Sequence, residues 1–174
     1  LFMAKGVTGS SKQLPALQVG IVGFGLSGQV FHAPFIDVHP GFNLHTIVTT
    51  GTLAKEKYPA VRIVSSFEEL IADPQIDLVV ICSPNLLHYP QAKAALLAGK
   101  HVVVEKPFTV NSAQAEGLIE IAHQAGRHVF PFHNRRWDGD MLTLKHIIEQ
   151  GYLGKIVEYE SRFDRFTPEI SRAA

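Results

Sequence analysis

Short apolar runs rich in β-branched residues alternate along the chain with stretches whose apolar positions recur at helical spacing. The runs at 18–22, 44–49, 62–64, 78–81, 101–104 and 129–132 read as six strands. Leu78-Val79-Val80-Ile81 and Val102-Val103-Val104 are apolar at every position, the pattern of strands covered by helices above and below. The alternation predicts an α/β fold with a doubly wound parallel sheet and helices on both faces. Ser66-Phe67-Glu68-Glu69 fits a capping box opening a helix over 67–72, with the Glu69 side chain reaching back. Helices over 89–98 and 112–125 end at Gly99 and Gly126, where a left-handed closing residue costs little. Pro34 falls inside the first long helix, 27–38, removes the bond to the Val30 carbonyl and predicts a kink or break. Beyond Phe132, an amphipathic helix is expected over 137–150 and an alternating strand over 155–163. One helix and one strand cannot enclose a core. The organisation expected is therefore a loose arm (1–13), a first domain (14–134) and the opening of a second α/β domain (135–174).

Composition narrows the function classes. With 46% hydrophobic and 18% charged residues in a chain of 174, intrinsic disorder is excluded. Sixteen basic residues balance sixteen acidic ones, so net charge points to neither a nucleic-acid nor a membrane partner. The single cysteine, Cys82, excludes an intramolecular disulfide and a thiolate zinc cage, and the nine histidines show no ligand spacing with a carboxylate, so no metal is expected. No apolar run approaches the roughly 20 residues of a membrane span. A soluble, cytoplasmic protein is the expectation.

The sharpest chemical signal is Gly23-Phe24-Gly25-Leu26-Ser27-Gly28, a Gly-x-Gly-x-x-Gly run entered from a strand and left by a helix. Gly23 permits the tight turn, Gly25 lets a pyrophosphate approach the backbone, and Gly28 lets helix and strand close up, as in a Rossmann-type dinucleotide site. The helix N-terminus would carry the anion. Where such sites usually hold an acid after the second strand, the chain reads Val48-Thr49-Thr50-Gly51-Thr52, followed by Lys55 and Lys57. Hydroxyls and lysines accommodate a 2′-phosphate that a carboxylate would repel, which favours NADP over NAD. Ser83-Pro84-Asn85 with His88 follows the fourth strand, and Glu105-Lys106-Pro107 follows the fifth, both at the edge where open α/β sheets bind ligands. Proline keeps Lys106 out of helical geometry, and a half-desolvated ammonium there can serve as acid or donor to a substrate oxygen. After the sixth strand, His133 to Asp138, with Asn134, Arg136 and Trp137, is dense in polar groups and offers a cleft wall.

In this order, the glycine loop, Cys82-Ser83-Pro84-Asn85 with His88, Ala98-Gly99-Lys100-His101-Val102, Glu105-Lys106-Pro107 and Asn134-Arg135-Arg136-Trp137 resemble the Gfo/Idh/MocA oxidoreductases over residues 17–166. The resemblance implies an N-terminal dinucleotide-binding domain followed by a substrate domain that often forms a homo-oligomer interface. It implies that Lys106 meets the substrate hydroxyl or carbonyl, and that the glycine loop, Ser83, Pro84, Asn85, His88 and Glu105 line NAD or NADP. Asn134 to Trp137 would lie near nicotinamide and substrate, a sugar, polyol or related small molecule. The family's completing residues would fall past residue 174, so the chain is expected to be the cofactor-binding portion of a longer enzyme, inactive alone. A non-catalytic, nucleotide-sensing member of the family is the alternative, and a methyl-donor-binding Rossmann domain a third.

Overall fold

The computed structural model describes residues 15–164 and 166. The 1–13 arm lies outside them. The strands are β1 (Leu17–Val22), β2 (Phe42–Val48), β3 (Arg62–Val64), β4 (Leu78–Ile81), β5 (His101–Val104) and β6 (Val129–Pro131). They form one sheet in the order β3-β2-β1-β4-β5-β6, every pairing parallel. Because the chain starts in the middle and builds outward first one way and then the other, β1 and β4 are neighbours whose following loops diverge. That divergence is the switch point where open parallel sheets take ligands.

Alternate side chains of each strand feed two separate cores. Val79 and Ile81 of β4 enter a cluster with Leu96, Val102, Val104 and Leu118, while Leu78 and Val80 enter another with Val19, Ile21, Ala33 and Ile47. The first core is roofed by α3 (Phe67–Ile71), α4 (Asn85–Leu97) and α5 (Ser112–Gln124), the second by α1 (Ala33–Val38) and α2 (Leu53–Lys57). Two apolar faces on the central strands are thus the cause of the doubly wound arrangement.

The helix signals resolve with local differences. Ser66 Oγ accepts the Glu69 N–H at 3.2 Å, and the Glu69 carboxylate reaches back to the Ser65 and Ser66 hydroxyls, both at 3.1 Å, and to the Ser65 backbone. Helix α4 begins at Asn85, four residues before the expected start, with Pro90 inside it. Asn85 and His88 therefore stand on the first turn of a helix, not in a loop. Pro34 causes neither a break nor a simple kink. A π-helical turn, Gly28–His32, precedes α1, and Ala33 N–H donates to Gly28 O. This wider turn carries the chain past the proline ring, which would collide with the Val30 carbonyl in α register.

The chain divides into two compact units after His133. The second opens with a 3-10 turn, Asn134–Trp137, and α6 (Gly139–Glu149), shorter than the 137–150 expected. Within it the Arg135 guanidinium pairs with Asp138 at 2.8 Å and lies 4.8 Å over the Phe163 ring. The strand expected over 155–163 is not formed. Alternation supplies a strand's pattern, but a ladder needs a partner backbone, and none pairs with this segment among the described residues. No helix among the described residues is long and apolar enough to cross a membrane.

Leu96 is fully buried between α4 and the sheet. Leu96→Ala is expected to lower unfolding free energy by about 3 kcal/mol through lost transfer energy and the cavity left behind, measured by urea denaturation.

Candidate functional site

All six strands run the same way, so the loops after β1, β2, β4 and β5 collect at one edge of the sheet. The glycine loop is shaped by two contacts. Gly23 sits at φ +92°, and a Cβ on it would stand 2.8 Å from the Cys82 carbonyl oxygen. A Cβ on Gly28 would stand 2.5 Å from the Gly23 carbonyl oxygen, so only glycine lets the helix start this close to the strand end. Gly25 is different: a Cβ there meets nothing within 4 Å. Its small size is unused by the protein's own packing and leaves open space beside the loop backbone, where a pyrophosphate could approach. That cradle fits a dinucleotide, and Gly25, Leu26, which is exposed, and Ser27 would hold it. Phe24 turns inward, buried edge-to-face against Tyr58 with ring centroids 6.1 Å apart, and its carbonyl accepts from Gln29 Nε2 at 2.8 Å.

The end of β2 is tied to the loop by the Gly23 N–H, which donates to Val48 O at 3.1 Å. Thr49 Oγ1 accepts the Gly51 N–H at 3.2 Å, and Thr50 is exposed. Lys55 turns away to donate to Pro59 O at 2.8 Å. Lys57 instead reaches the glycine-loop helix, its Nζ 3.4 Å from Gln29 Oε1. After β4, the Ser83 hydroxyl donates to Gln91 Oε1 at 2.6 Å. His88 is buried, its Nε2 2.9 Å from Ser83 O and its Nδ1 2.7 Å from Pro107 O. Its ring joins the β4 turn to the β5 turn, with both nitrogens occupied by the protein's own carbonyls.

Glu105 is the electrostatic centre of this edge. It is buried, and its Oε1 accepts from the Ser27 hydroxyl and from His32 Nε2 at 2.9 Å, while Oε2 accepts the Lys106 N–H at 3.0 Å. Burial, the largest single influence, pushes the carboxyl up, but the His32 and Ser27 hydrogen bonds and the Lys106 N–H together hold it down at about 2. Ser27 Oγ also lies 3.8 Å from Cys82 Sγ, and burial pushes that thiol up to about 12, which favours the protonated form. Lys106, joined to Pro107 by a cis peptide, is exposed, and its ammonium has no partner among the described residues.

The structure therefore brings Gly23, Ser27, Gly28, Ser83, His88, Glu105 and Lys106 into one connected edge through named contacts. Pro84 caps α4, and Asn85 begins it. Asn134, Arg136 and Trp137 belong to the second unit, Trp137 being 75% exposed. His32 was not visible as a site residue in the sequence. It follows Ser27 by five positions, a spacing that α geometry places on different sides of a helix, and only the π turn turns both toward Glu105.

A carboxyl held below its ordinary value of 4.5 stabilises the fold above that value, and the contribution disappears as pH falls from there to about 2. The difference corresponds to about 3 kcal/mol. The stability gap between the parent and Glu105→Gln, measured by urea denaturation, is expected to narrow by about 2.5 kcal/mol from pH 6 to pH 2.5, and a constant gap would contradict the assignment.

The profile of the Gfo/Idh/MocA family, an oxidoreductase family with an NAD-binding Rossmann fold, matches residues 17–133. The chain is 49% identical over 155 residues to the uncharacterized oxidoreductase YdgJ of Escherichia coli (strain K12), covering 88% of this chain and 45% of that protein. It is 40% identical over 160 residues to the scyllo-inositol 2-dehydrogenase (NADP(+)) IolW of Bacillus subtilis (strain 168), covering 91% and 45%. A crystal structure of an oxidoreductase from Bacillus cereus superposes with a TM-score of 0.81 at 38% identity, over 88% of this chain and 45% of that one. The chain thus spans a little under half the length of these relatives. With its matched profile, six-stranded parallel sheet and glycine loop at the switch point, it belongs to the Gfo/Idh/MocA oxidoreductase family.

Proposed function

We propose that the first unit binds a nicotinamide dinucleotide, NADP ahead of NAD, and that the whole protein is an oxidoreductase acting on a hydroxyl or carbonyl of a sugar, polyol or related small molecule. One observation carries this reading. Lys106 presents an exposed ammonium, unpartnered among the described residues, at the edge of the sheet, while its neighbour Glu105 is buried and tied to the glycine loop. Gly25, Leu26 and Ser27 hold the pyrophosphate by backbone N–H groups and the Ser27 side of the loop. Thr49 and Thr50 meet the adenine ribose, and with no carboxylate in that segment a 2′-phosphate is tolerated. Lys57, already beside Gln29, is the cation nearest the loop helix. The bound nicotinamide supplies or takes up hydride. Lys106 orients the substrate oxygen and gives or receives its proton, and its backbone N–H, held by Glu105, fixes where that side chain starts. Asn134, Arg136 and Trp137, in the second unit, are further candidate binding residues. The NADP in the name of the Bacillus subtilis relative supports the cofactor preference, and the inositol in it supports a polyol substrate.

Calorimetric titration of this 174-residue chain is expected to show NADPH binding more tightly than NADH, and S-adenosylmethionine not at all. Tighter binding of the methyl donor would overturn the cofactor assignment. Gly25→Val should abolish nucleotide binding in a folded protein, because its side chain fills the open space beside the loop. In the whole protein, Lys106→Ala should lower turnover about 10² to 10⁴-fold with little change in nucleotide affinity. Unchanged turnover would remove Lys106 from the reaction, whereas no turnover in the parent with any polyol or sugar would favour a nucleotide sensor instead.

A further inference from the structure

His32 does more than fill space. It is 5% exposed, and its ring lies against Phe132, centroids 4.2 Å apart and planes tilted by 49°. Phe132 in turn follows β6 and donates its N–H to Val104 O at 2.8 Å, at the end of the strand that leads into Glu105. The Nε2 of His32 donates to Glu105 Oε1, and the other oxygen of that carboxylate accepts the Lys106 N–H. One imidazole thus touches the carboxylate that holds Lys106 and the aromatic residue that closes the neighbouring strand. It is carried there by a π turn placed between the glycine loop and Pro34.

We propose that His32 is a positioning residue for Lys106, fixing through Glu105 the turn after β5 against the glycine-loop helix and the end of β6. The π turn is then a functional device. In plain α register, His32 would leave the line of Ser27, and Glu105 would keep only one donor from this helix. A carboxylate held by donors from two places along one helix cannot pivot about a single bond, and the Lys106 amide hung on its second oxygen inherits that rigidity. His32 touches neither the glycine loop's open face nor the ammonium itself, so its effect falls on the geometry of the reacting group and not on nucleotide affinity. The inference rests on the reading of Lys106 as the residue that meets the substrate oxygen.

Two substitutions separate the hydrogen bond from the packing. His32→Phe keeps an aromatic ring against Phe132 and removes the donor, whereas His32→Gln keeps an N–H donor at comparable reach. Amide hydrogen exchange by NMR on this chain should show the Lys106 N–H exchanging about tenfold faster in His32→Phe, with Ile81 and Val102 in the sheet centre unchanged and most protection restored in His32→Gln. In the whole protein, His32→Phe should lower kcat about tenfold or more, with the dissociation constant for NADPH within about twofold of the parent, and His32→Gln should recover most of that loss. Unchanged Lys106 exchange in a folded His32→Phe protein overturns the proposal. So does an equal loss in both variants spread over the core amides, the mark of a packing role alone. The exchange arm does not depend on turnover: altered Lys106 exchange together with unchanged turnover in Lys106→Ala would sink the catalytic reading and leave the His32 linkage standing.

Discussion

A buried carboxylate organises this protein's working edge. Removing a charge from water costs several kcal/mol unless the protein replaces the lost solvation with donors, and Glu105 receives three, from Ser27, His32 and the Lys106 backbone. Those donors belong to the glycine loop, to the π turn beyond it and to the turn after β5. Satisfying one side chain therefore locks the glycine-loop helix to the turn after β5, 73 to 78 residues away along the chain. The same demand explains why the helix after the glycine loop tolerates a distortion at Pro34: the wider turn accommodates the proline ring and also delivers the imidazole the carboxylate needs.

The sheet makes this convergence possible. Parallel strands bring every following loop to the same edge, and the reversal of build direction between β1 and β4 opens a crevice there. Apolar residues on both faces of the central strands require helices above and below, which holds the edge rigid while its loops stay accessible. Within that frame the glycines divide their labour. Gly23 and Gly28 permit close approach of the protein to itself, whereas Gly25 has no such contact and keeps space for a ligand.

Much of the fold was legible from hydrophobic pattern, because β3, β4 and β5 are short, strongly apolar or β-branched, and bounded by clear turn residues. Their observed limits coincide with the expected ones. Helix α4 was harder. It was expected from Tyr89, but the turn from Asn85 already closes onto the β4 loop, and the helix absorbs Pro90 in its second turn. The segment at 155–163 shows the opposite failure: its alternation suits a strand, but pairing is a property of two backbones. Of the site, the glycine loop, Ser83, Glu105 and Lys106 carried recognisable motifs. Phe24 and His88 were expected to line a cofactor, and their side chains are turned into the protein, one into the apolar core and the other between two carbonyls.

What the sequence by itself determined was the class of fold, the run of parallel strands, the position of the glycine loop and the identity of the lysine that follows β5. These follow from local periodicity, turn chemistry and short motifs, all properties of neighbouring residues. Tertiary structure alone decided that Glu105 is a buried hub, that His32 joins it, that Lys55 turns away while Lys57 approaches the loop helix, and that Lys106 stays unpaired among the described residues. Apart from the local Lys55 to Pro59 bond, each of these depends on a hydrogen bond, or its absence, between residues that sequence separation leaves unrelated. The His32 to Glu105 contact spans 73 residues and exists only because a π turn and a parallel strand end meet at the same edge.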